Sequence, residues 1–346
     1  MELTDFNLPY ITSDVQGIGG QIKEQAEDFV VGEIPVYEPE GTGEHLFIQL
    51  TKKGINTREV QKTLARIFQT SRGDVNYAGI KDKHAVATQY FSVWLRQGQN
   101  KDLAYQLEEE LPVTIEKIAF HQRKIKSGHL LGNRFSIRIR QLDMPVGEAA
   151  KKAEEIAGMI HNRGLPNFYG SQRFGVEGDN ARKGMEILLG QRREKNKWLR
   201  RFLTSSYQSY LFNYYMYRRM GEGLYATILE GDIAKKHETG GIFVVEDAGA
   251  EQPRFDNKEI SFTGPVYGKK MTPAQGRAGE LEQQILAEQG MDIETLRSGR
   301  LTGTRRQGIL VPQIEVESEE ASLRLHFTLP KGAFATMVVR EFTKNF

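Results

Sequence analysis

The chain has 346 residues, with 47 Lys and Arg against 45 Asp and Glu, and it contains no cysteine. That length suggests two domains, each able to bury its own core, and the absence of cysteine excludes disulfides, thiolate metal sites, iron–sulfur clusters and cysteine catalysis. Apolar content of 39% and charged content of 27% describe a globular protein; no apolar run reaches the roughly 18 residues of a membrane span, and the start, Met1-Glu2-Leu3-Thr4-Asp5, lacks the features of a signal peptide, so a cytoplasmic protein is expected.

In chain order, Phe29-Val30-Val31 and His45–Leu50 read as short strands. Asn56 or Thr57 is placed to cap a helix over Arg58–Phe68 that puts Val60, Leu64 and Ile67 on one face. Val75–Ala78 reads as a strand, Gly79–Thr88 as a polar loop and Gln89–Leu95 as the next strand. Phe135–Arg140 alternates strictly, with Phe and Ile on one face and Ser and Arg on the other, which predicts a half-buried strand with a basic outer face. After about residue 145 the texture changes. Residues 148–163 and 179–220 read as helices, 231–270 as a glycine-rich stretch with short strands such as Ile242–Val245, and 279–289 as a further helix. Strand texture returns with Leu323–Phe327, and Ala335–Phe342 is helix-like. The pattern predicts a mixed α/β sheet domain with a second domain inserted into it.

The net charge of +2 hides local clusters. Residues 1–50 carry one basic side chain, Lys23, against ten acidic ones; residues 117–140 carry seven basic and no acidic side chains; residues 182–219 carry ten basic against two acidic. Such runs fit either solvated faces or a polyanion, of which nucleic acid is the commonest.

The familiar cofactor and hydrolase motifs fail. There is no GxxxxGK[ST]; Gly264-Pro-Val-Tyr-Gly268-Lys269-Lys270 is one residue short and lacks the hydroxyl. Gly17-Ile-Gly19-Gly20 is too short for a dinucleotide fingerprint and reads as a turn. Neither HExxH nor GxSxG occurs, and the seven histidines are scattered. What remains is the loop Gly79-Ile80-Lys81-Asp82-Lys83-His84, a carboxylate between two lysines. It suits a solvated turn or a catalytic loop; in the second case Asp82 is the acting group, as nucleophile or as stabiliser of developing positive charge, kept ionised by a nearby cation.

Six segments carry a family resemblance: EDFVVGEI (27–34), GIKDKHAVATQYFSV (79–93), LLGNRFSIRIR (130–140), NFYGSQRFG (167–175), SSYQSYLFN (205–213) and LPKGAFATMVVREF (329–342). In these, and in their order, the chain resembles the tRNA pseudouridine synthase D (TruD) family. The resemblance implies an isomerase that converts uridine to pseudouridine in tRNA, typically at position 13 of the D arm, without metal or small-molecule cofactor. It implies an α/β (α+β) fold with a mixed-sheet pseudouridine synthase catalytic domain at 1–158 and 304–346 and an inserted TRUD domain at 159–303. The family's catalytic aspartate falls on Asp82 and its substrate contacts on Phe29, Asn133 and Phe334, with Phe135 and Lys23 nearby.

With that family in view, Lys23 becomes the cation expected to hold Asp82 ionised. The phenylalanines, which composition alone would place in a core, become walls for a flipped base. Asn133, otherwise a turn residue, offers one acceptor and two donors to a uracil edge, and His84 is a supporting donor or a surface residue. Arg123, Lys124, Lys126 and Arg134, and in the insertion Arg192, Arg193, Arg200 and Arg201, are the expected contacts to the RNA backbone, with Arg138 and Arg140 lying along the same strand. Arg173 is expected to be structural, pairing within the domain junction. The expected partner is tRNA, and the enzyme is expected to be a monomer. The competing readings are a non-catalytic RNA-binding protein on the same scaffold and an Asp-dependent glycosidase, for which no second carboxylate stands out.

Overall fold

The computed structural model of the chain describes residues 7–95, 99–299 and 301–345. These fall into two compact units. A sheet unit holds Gln16–Ala157, Pro312–Ala335 and the residues from Phe342 onward; a helical unit holds the segment ending at Val15, Gly158–Val311 and Thr336–Glu341.

The first pass of the chain supplies strands β1 (Gly19–Gln21), β2 (Phe29–Pro35), β3 (His45–Lys53), β4 (Val75–Tyr77), β5 (Val86–Trp94), β6 (Val113–His121) and β7 (Leu130–Leu142), with helices α1 (Thr57–Ile67), α2 (Gln106–Glu110) and α3 (Val146–Arg163). Residues 164–311 supply α4 (Asn180–Leu188), α5 (Lys197–Gly221), α6 (Ala248–Asp256), α7 (Gly276–Glu288) and α8 (Ile293–Ser298), and the short strands β8 (Leu165–Pro166), β9 (Ile233–Lys236), β10 (Ile242–Val244), β11 (Ile260–Val266), β12 (Thr304–Gln307) and β13 (Ile309–Leu310). The chain then returns with β14 (Ile314–Ser318), β15 (Leu323–Pro330) and α9 (Ala335–Thr343). None of the described helices is long and apolar enough to cross a membrane.

The sheet unit is built on one mixed sheet in the order β14-β15-β7-β2-β5-β3-β6, with β1 added to β7 and β4 to β5. Only β2 and β5 run parallel among these pairs. The core on one side forms where Leu46, Ile48 and Leu50 of β3 meet Val60, Leu64 and Ile67 of α1 and Phe91 and Val93 of β5. The helical face read from the period of α1 is thus the buried face. Neither expected cap works as a side-chain cap. Asn56 is the N-cap residue but its side chain makes no capping bond, and the Thr57 hydroxyl donates to Gln89 Oε1 at 3.0 Å and accepts from the Lys81 N–H at 3.0 Å. The strand expected from Gln89 begins three residues earlier, at Val86, because Val86–Thr88 pair with Val30–Gly32 of β2.

The alternation of β7 behaves as expected on its apolar side: Phe135, Ile137 and Ile139 are buried. Its basic side differs from the expectation of phosphate-facing charges. Arg140 Nε and Nη2 lie 2.9 and 2.8 Å from Asp28 Oδ1, a carboxylate with no solvent exposure. Arg138 donates from Nη2 to Glu319 Oε1 at 2.8 Å, and Arg324 Nε donates to the same oxygen at 2.8 Å. These strand arginines neutralise carboxylates of their own unit, as the register puts Arg324 opposite Arg138 with Glu319 in the turn beyond.

In the helical unit the expected helical stretch 179–220 is two helices, since α4 stops at Leu188, Gly190 takes a positive φ of 74° and α5 starts afresh after its N-cap Asn196, whose side chain accepts from the Trp198 and Leu199 N–H groups. Two of the sequence motifs lock together here. Arg173 donates to Ser209 Oγ at 3.0 Å and to Ser205 Oγ at 2.7 Å, and Asn213 forms a two-way pair with the Tyr169 backbone at 2.8 and 2.9 Å. Arg173 is thus held by partners inside its own unit and not by the domain junction expected from sequence. Deeper still, Arg219 and Asp232 form a fully buried pair, with Nη1 and Nη2 at 2.8 and 2.7 Å from the two carboxylate oxygens.

Two outcomes follow for stability. Arg219→Leu leaves Asp232 buried without its cation and is expected to cost about 3–5 kcal/mol, read as a lower urea midpoint. Glu319, whose carboxyl is held down to about 2 by Arg138, Ser322 and Arg324 against the opposing effect of burial, contributes stability that is present above the ordinary carboxylate range and lost as pH falls from about 4.5 toward about 2. Glu319→Gln is expected to be less stable than the wild type at pH 7 by about 1–3 kcal/mol, with the gap closing in acid melts near pH 2–3.

Candidate active site

The loop 79–85 lies between β4 and β5, and three lysines fix it. Lys52 lies on β3 in phase with Leu46, Ile48 and Leu50, so the strand's period of two carries an ammonium into the buried row, where it has no solvent exposure. Its Nζ donates to the backbone carbonyls of Ile55 at 2.7 Å and Asp82 at 2.6 Å. Burial lowers its pKa to about 8, against the pull of the Asp82 carboxylate. Lys52 therefore fixes the backbone of the loop, not the Asp82 carboxylate.

Lys23 reaches the carboxylate. Its ammonium pairs with Asp82 Oδ2 and lies 4.3 Å from the centroid of the Phe29 ring. Lys23 adopts a φ of 64°, a left-handed conformation that costs a non-glycine residue about 1–2 kcal/mol. The strained backbone directs the side chain toward the loop just ahead of β2. The other oxygen, Asp82 Oδ1, accepts from the His84 N–H at 3.1 Å, while the His84 side chain is exposed. Burial alone would raise the Asp82 pKa, but the hydrogen bond and charge of Lys23, together with the His84 N–H, hold it below the ordinary aspartate value. The site offers an ionised carboxylate beside an aromatic face.

Lys81 is the third. Its Nζ is 2.7 Å from Glu33 Oε1 and 2.8 Å from Asn133 Oδ1. Glu33 and Asn133 are directly opposed residues of β2 and β7, so their side chains share one face of the sheet. Lys81 enters between them, with Lys81 and Glu33 both buried. The other oxygen, Glu33 Oε2, accepts from the Tyr90 N–H at 3.1 Å. The strand β15 closes the far side, with Leu329 opposite Asn133 and Phe327 opposite Phe135. It comes so close that a Cβ on Gly132 would sit 2.3 Å from the Leu329 carbonyl oxygen.

On the same face the rings form a row. Phe29 and Phe135 meet edge to face at 6.0 Å, and Phe135 stacks on Phe327 at 5.4 Å. All three are buried, so Phe29 and Phe135 form a packed floor with little of each ring open. Phe334 is half-buried, four residues past the end of β15. Of the residues expected from sequence, Asp82, Lys23, Phe29, Asn133 and Phe135 thus come together around one loop and one sheet face. Lys52, Lys81, Glu33 and Phe327 belong to the same cluster and were missed. Lys52 and Glu33 left a readable signal, since each is a charged residue at an inward position of an alternating strand.

The residues expected to contact the RNA backbone are exposed in both units. Arg123, Lys124 and Lys126 are exposed between β6 and β7, and Arg134 is exposed on β7. In the helical unit Arg192 and Arg193 are exposed between α4 and α5, with Arg192 Nη1 3.6 Å from Glu186 Oε2. Arg200 and Arg201 are exposed in the first turns of α5 and, with Lys197, Thr204, Ser205 and Gln208, line an open groove of about 1230 Å³.

Comparison with known proteins supplies the family. The family model described as tRNA pseudouridine synthase D (TruD) matches residues 5–195 and 193–342. A tRNA pseudouridine synthase D of Thermus thermophilus is 43% identical over 97% of this chain and 92% of its own length, and one from Anaeromyxobacter dehalogenans is 39% identical over 98% and 97%. The crystal structure of a putative tRNA pseudouridine synthase D from Methanosarcina mazei superposes with a TM-score of 0.76 at 26% identity, covering 97% of this chain and 96% of that one. The chain belongs to the tRNA pseudouridine synthase D family, and it is an enzyme of that isomerase class.

Proposed function

We propose that the protein isomerises uridine to pseudouridine in tRNA, at position 13 of the D arm, with Asp82 as the catalytic residue. The observation that carries this reading is the Asp82 carboxylate, held ionised by Lys23 beside the Phe29 ring and fixed through its backbone by Lys52. The reaction breaks the C1′–N1 bond, turns the uracil and joins C5 to C1′; C5 gives up its proton and N1 gains one. Atoms balance within one nucleotide, and no oxidant or outside group is consumed.

A stacked base cannot turn, so the nucleotide is taken out of the RNA helix into the site. The aromatic edges of Phe29 and Phe135, with Phe334 four residues past β15, receive its face, and Asn133 meets its edge. Asp82 then acts at the sugar, either by adding to C1′ or by taking the C2′ proton to leave a glycal. Both routes need the same ionised carboxylate. No phenolic hydroxyl is assigned to the C5 proton.

Residues 159–303 form the family's inserted domain in this reading, and the groove at the start of α5 holds another part of the tRNA backbone. Lys197, Arg200 and Arg201 crowd cations at a helix N-terminus, where the macrodipole already disfavours positive charge. An RNA phosphate relieves that repulsion. Beside them Trp198 is 61% exposed and stacks on Phe202 at 5.4 Å, a platform for an unpaired base. Arg123, Lys124, Lys126 and Arg134 serve the strand that carries Asn133.

Three outcomes test this. Wild-type protein incubated with unmodified tRNA transcript should give a carbodiimide-dependent primer-extension stop at position 13, and Asp82→Asn should remove it while leaving tRNA affinity within a few fold. Tight binding without any product by the wild type would instead support a non-catalytic RNA-binding protein. Because Lys23 depresses the Asp82 pKa, the acid limb of kcat/KM should lie below the ordinary aspartate range. Lys23→Met leaves burial opposed only by His84 and should move that limb to higher pH as well as cutting the rate. Arg200→Ala with Arg201→Ala should weaken tRNA binding and flatten its salt dependence by about two units of slope.

A further inference from the structure

Lys81 has no step in the reaction above, yet it is buried in the site and touches Asn133. We infer that Lys81 is a positioning residue that fixes the polarity of the Asn133 amide and thereby makes the site select uracil over cytosine. The inference rests on the reading of the site as a uridine isomerase.

The argument begins with the ammonium. It carries only hydrogens, so the atom of Asn133 that faces it at 2.8 Å is the amide oxygen. Glu33, 2.7 Å from the same ammonium and held at its other oxygen by the Tyr90 N–H, keeps Lys81 in place. Turning the amide over would set an NH₂ group against an ammonium in a buried site. Asn133 therefore presents its Nδ2 hydrogens to the base, and only an acceptor satisfies them.

Uracil meets that demand twice. Turning the ring about its N3–C6 axis exchanges N1 with C5, which is the net change of the reaction, and it also exchanges C2 with C4. The two carbonyl oxygens trade places. A donor fixed beside one carbonyl thus finds a carbonyl again after the turn, and the same hydrogen bond serves the base before and after it. Cytosine has one carbonyl and one amine at these positions. Whichever it shows first, the amine faces the Asn133 NH₂ at one of the two stages. Selection against cytosine follows from the polarity of the amide, and it acts already on binding because the position met first is C4, where uracil carries an oxygen and cytosine an amine.

The test uses the full-length enzyme and the tRNA transcript, with the wild-type product map as the control. Loss of that product would overturn the isomerase reading itself. Given product, Asn133→Asp keeps a partner for Lys81 but offers the base only acceptors. It should lose at least as much kcat/KM as Asn133→Ala. Lys81→Met should lower kcat/KM by roughly 10- to 100-fold and narrow the ratio between the affinities for transcripts carrying uridine and cytidine at the target position. Lys81→Arg should restore part of both. Because Lys81→Met strands the Glu33 carboxylate, the paired variant Lys81→Met/Glu33→Gln is measured beside it and should show the same narrowed ratio with a recovered melting temperature. An Asn133→Asp enzyme as active as the wild type, or an unchanged uridine-to-cytidine ratio in the paired variant, overturns the proposal.

Discussion

The site depends on one buried ammonium. Lys52 occupies a position where the strand pattern calls for a leucine, and its charge is met mainly by two backbone carbonyls, one of them that of Asp82. Removing an ammonium from water is costly unless its hydrogens are satisfied, so the loop cannot swing away without stranding that charge. With the backbone of Asp82 fixed, Lys23 and the His84 N–H need only orient a carboxylate whose place is already determined. The Thr57 hydroxyl adds a second anchor at the Lys81 N–H. The loop is polar and short, yet its position is referenced to the core of the sheet unit.

Charge is used in two ways. On β7 and β15, Arg138, Arg140 and Arg324 neutralise Asp28 and Glu319. At the start of α5, Arg200 and Arg201 have no carboxylate within ion-pair distance among the described residues, and the groove keeps a positive field. A near-zero net charge is therefore compatible with a localised basic surface, since the field near a groove is set by the charges left over there and not by the sum over the chain.

Much of the sheet unit was legible because its periods are simple. The faces of α1 and β7 follow from spacing, and the loop with Asp82 stands out by composition. The residues around that loop are a different matter. Composition alone would have left Phe29 and Phe135 in a core, where their low exposure in fact places them, and only the ordered family segments pointed to Asn133 and Phe334. The partners of the strand arginines were illegible because they depend on register between segments far apart, as with Arg138, Arg324 and Glu319. The same holds for Lys81 and Glu33, whose meeting needs the antiparallel pairing of β2 with β7 and a loop crossing it. Their charge at inward positions was visible; their partners were not.

The pairing of β15 with β7 also orders events in time. Leu329 meets Asn133, and Phe327 meets Phe135, although nearly the whole helical unit lies between them in the sequence. During synthesis from the N-terminus, β7 emerges long before its neighbour and waits as an open edge with an uncovered aromatic side chain. Closing so long a loop is slow relative to local contacts, and an exposed edge is open to wrong partners. The C-terminal segment thus acts as a latch: the nascent chain carries its aspartate early but gains the complete aromatic face only when β15 arrives.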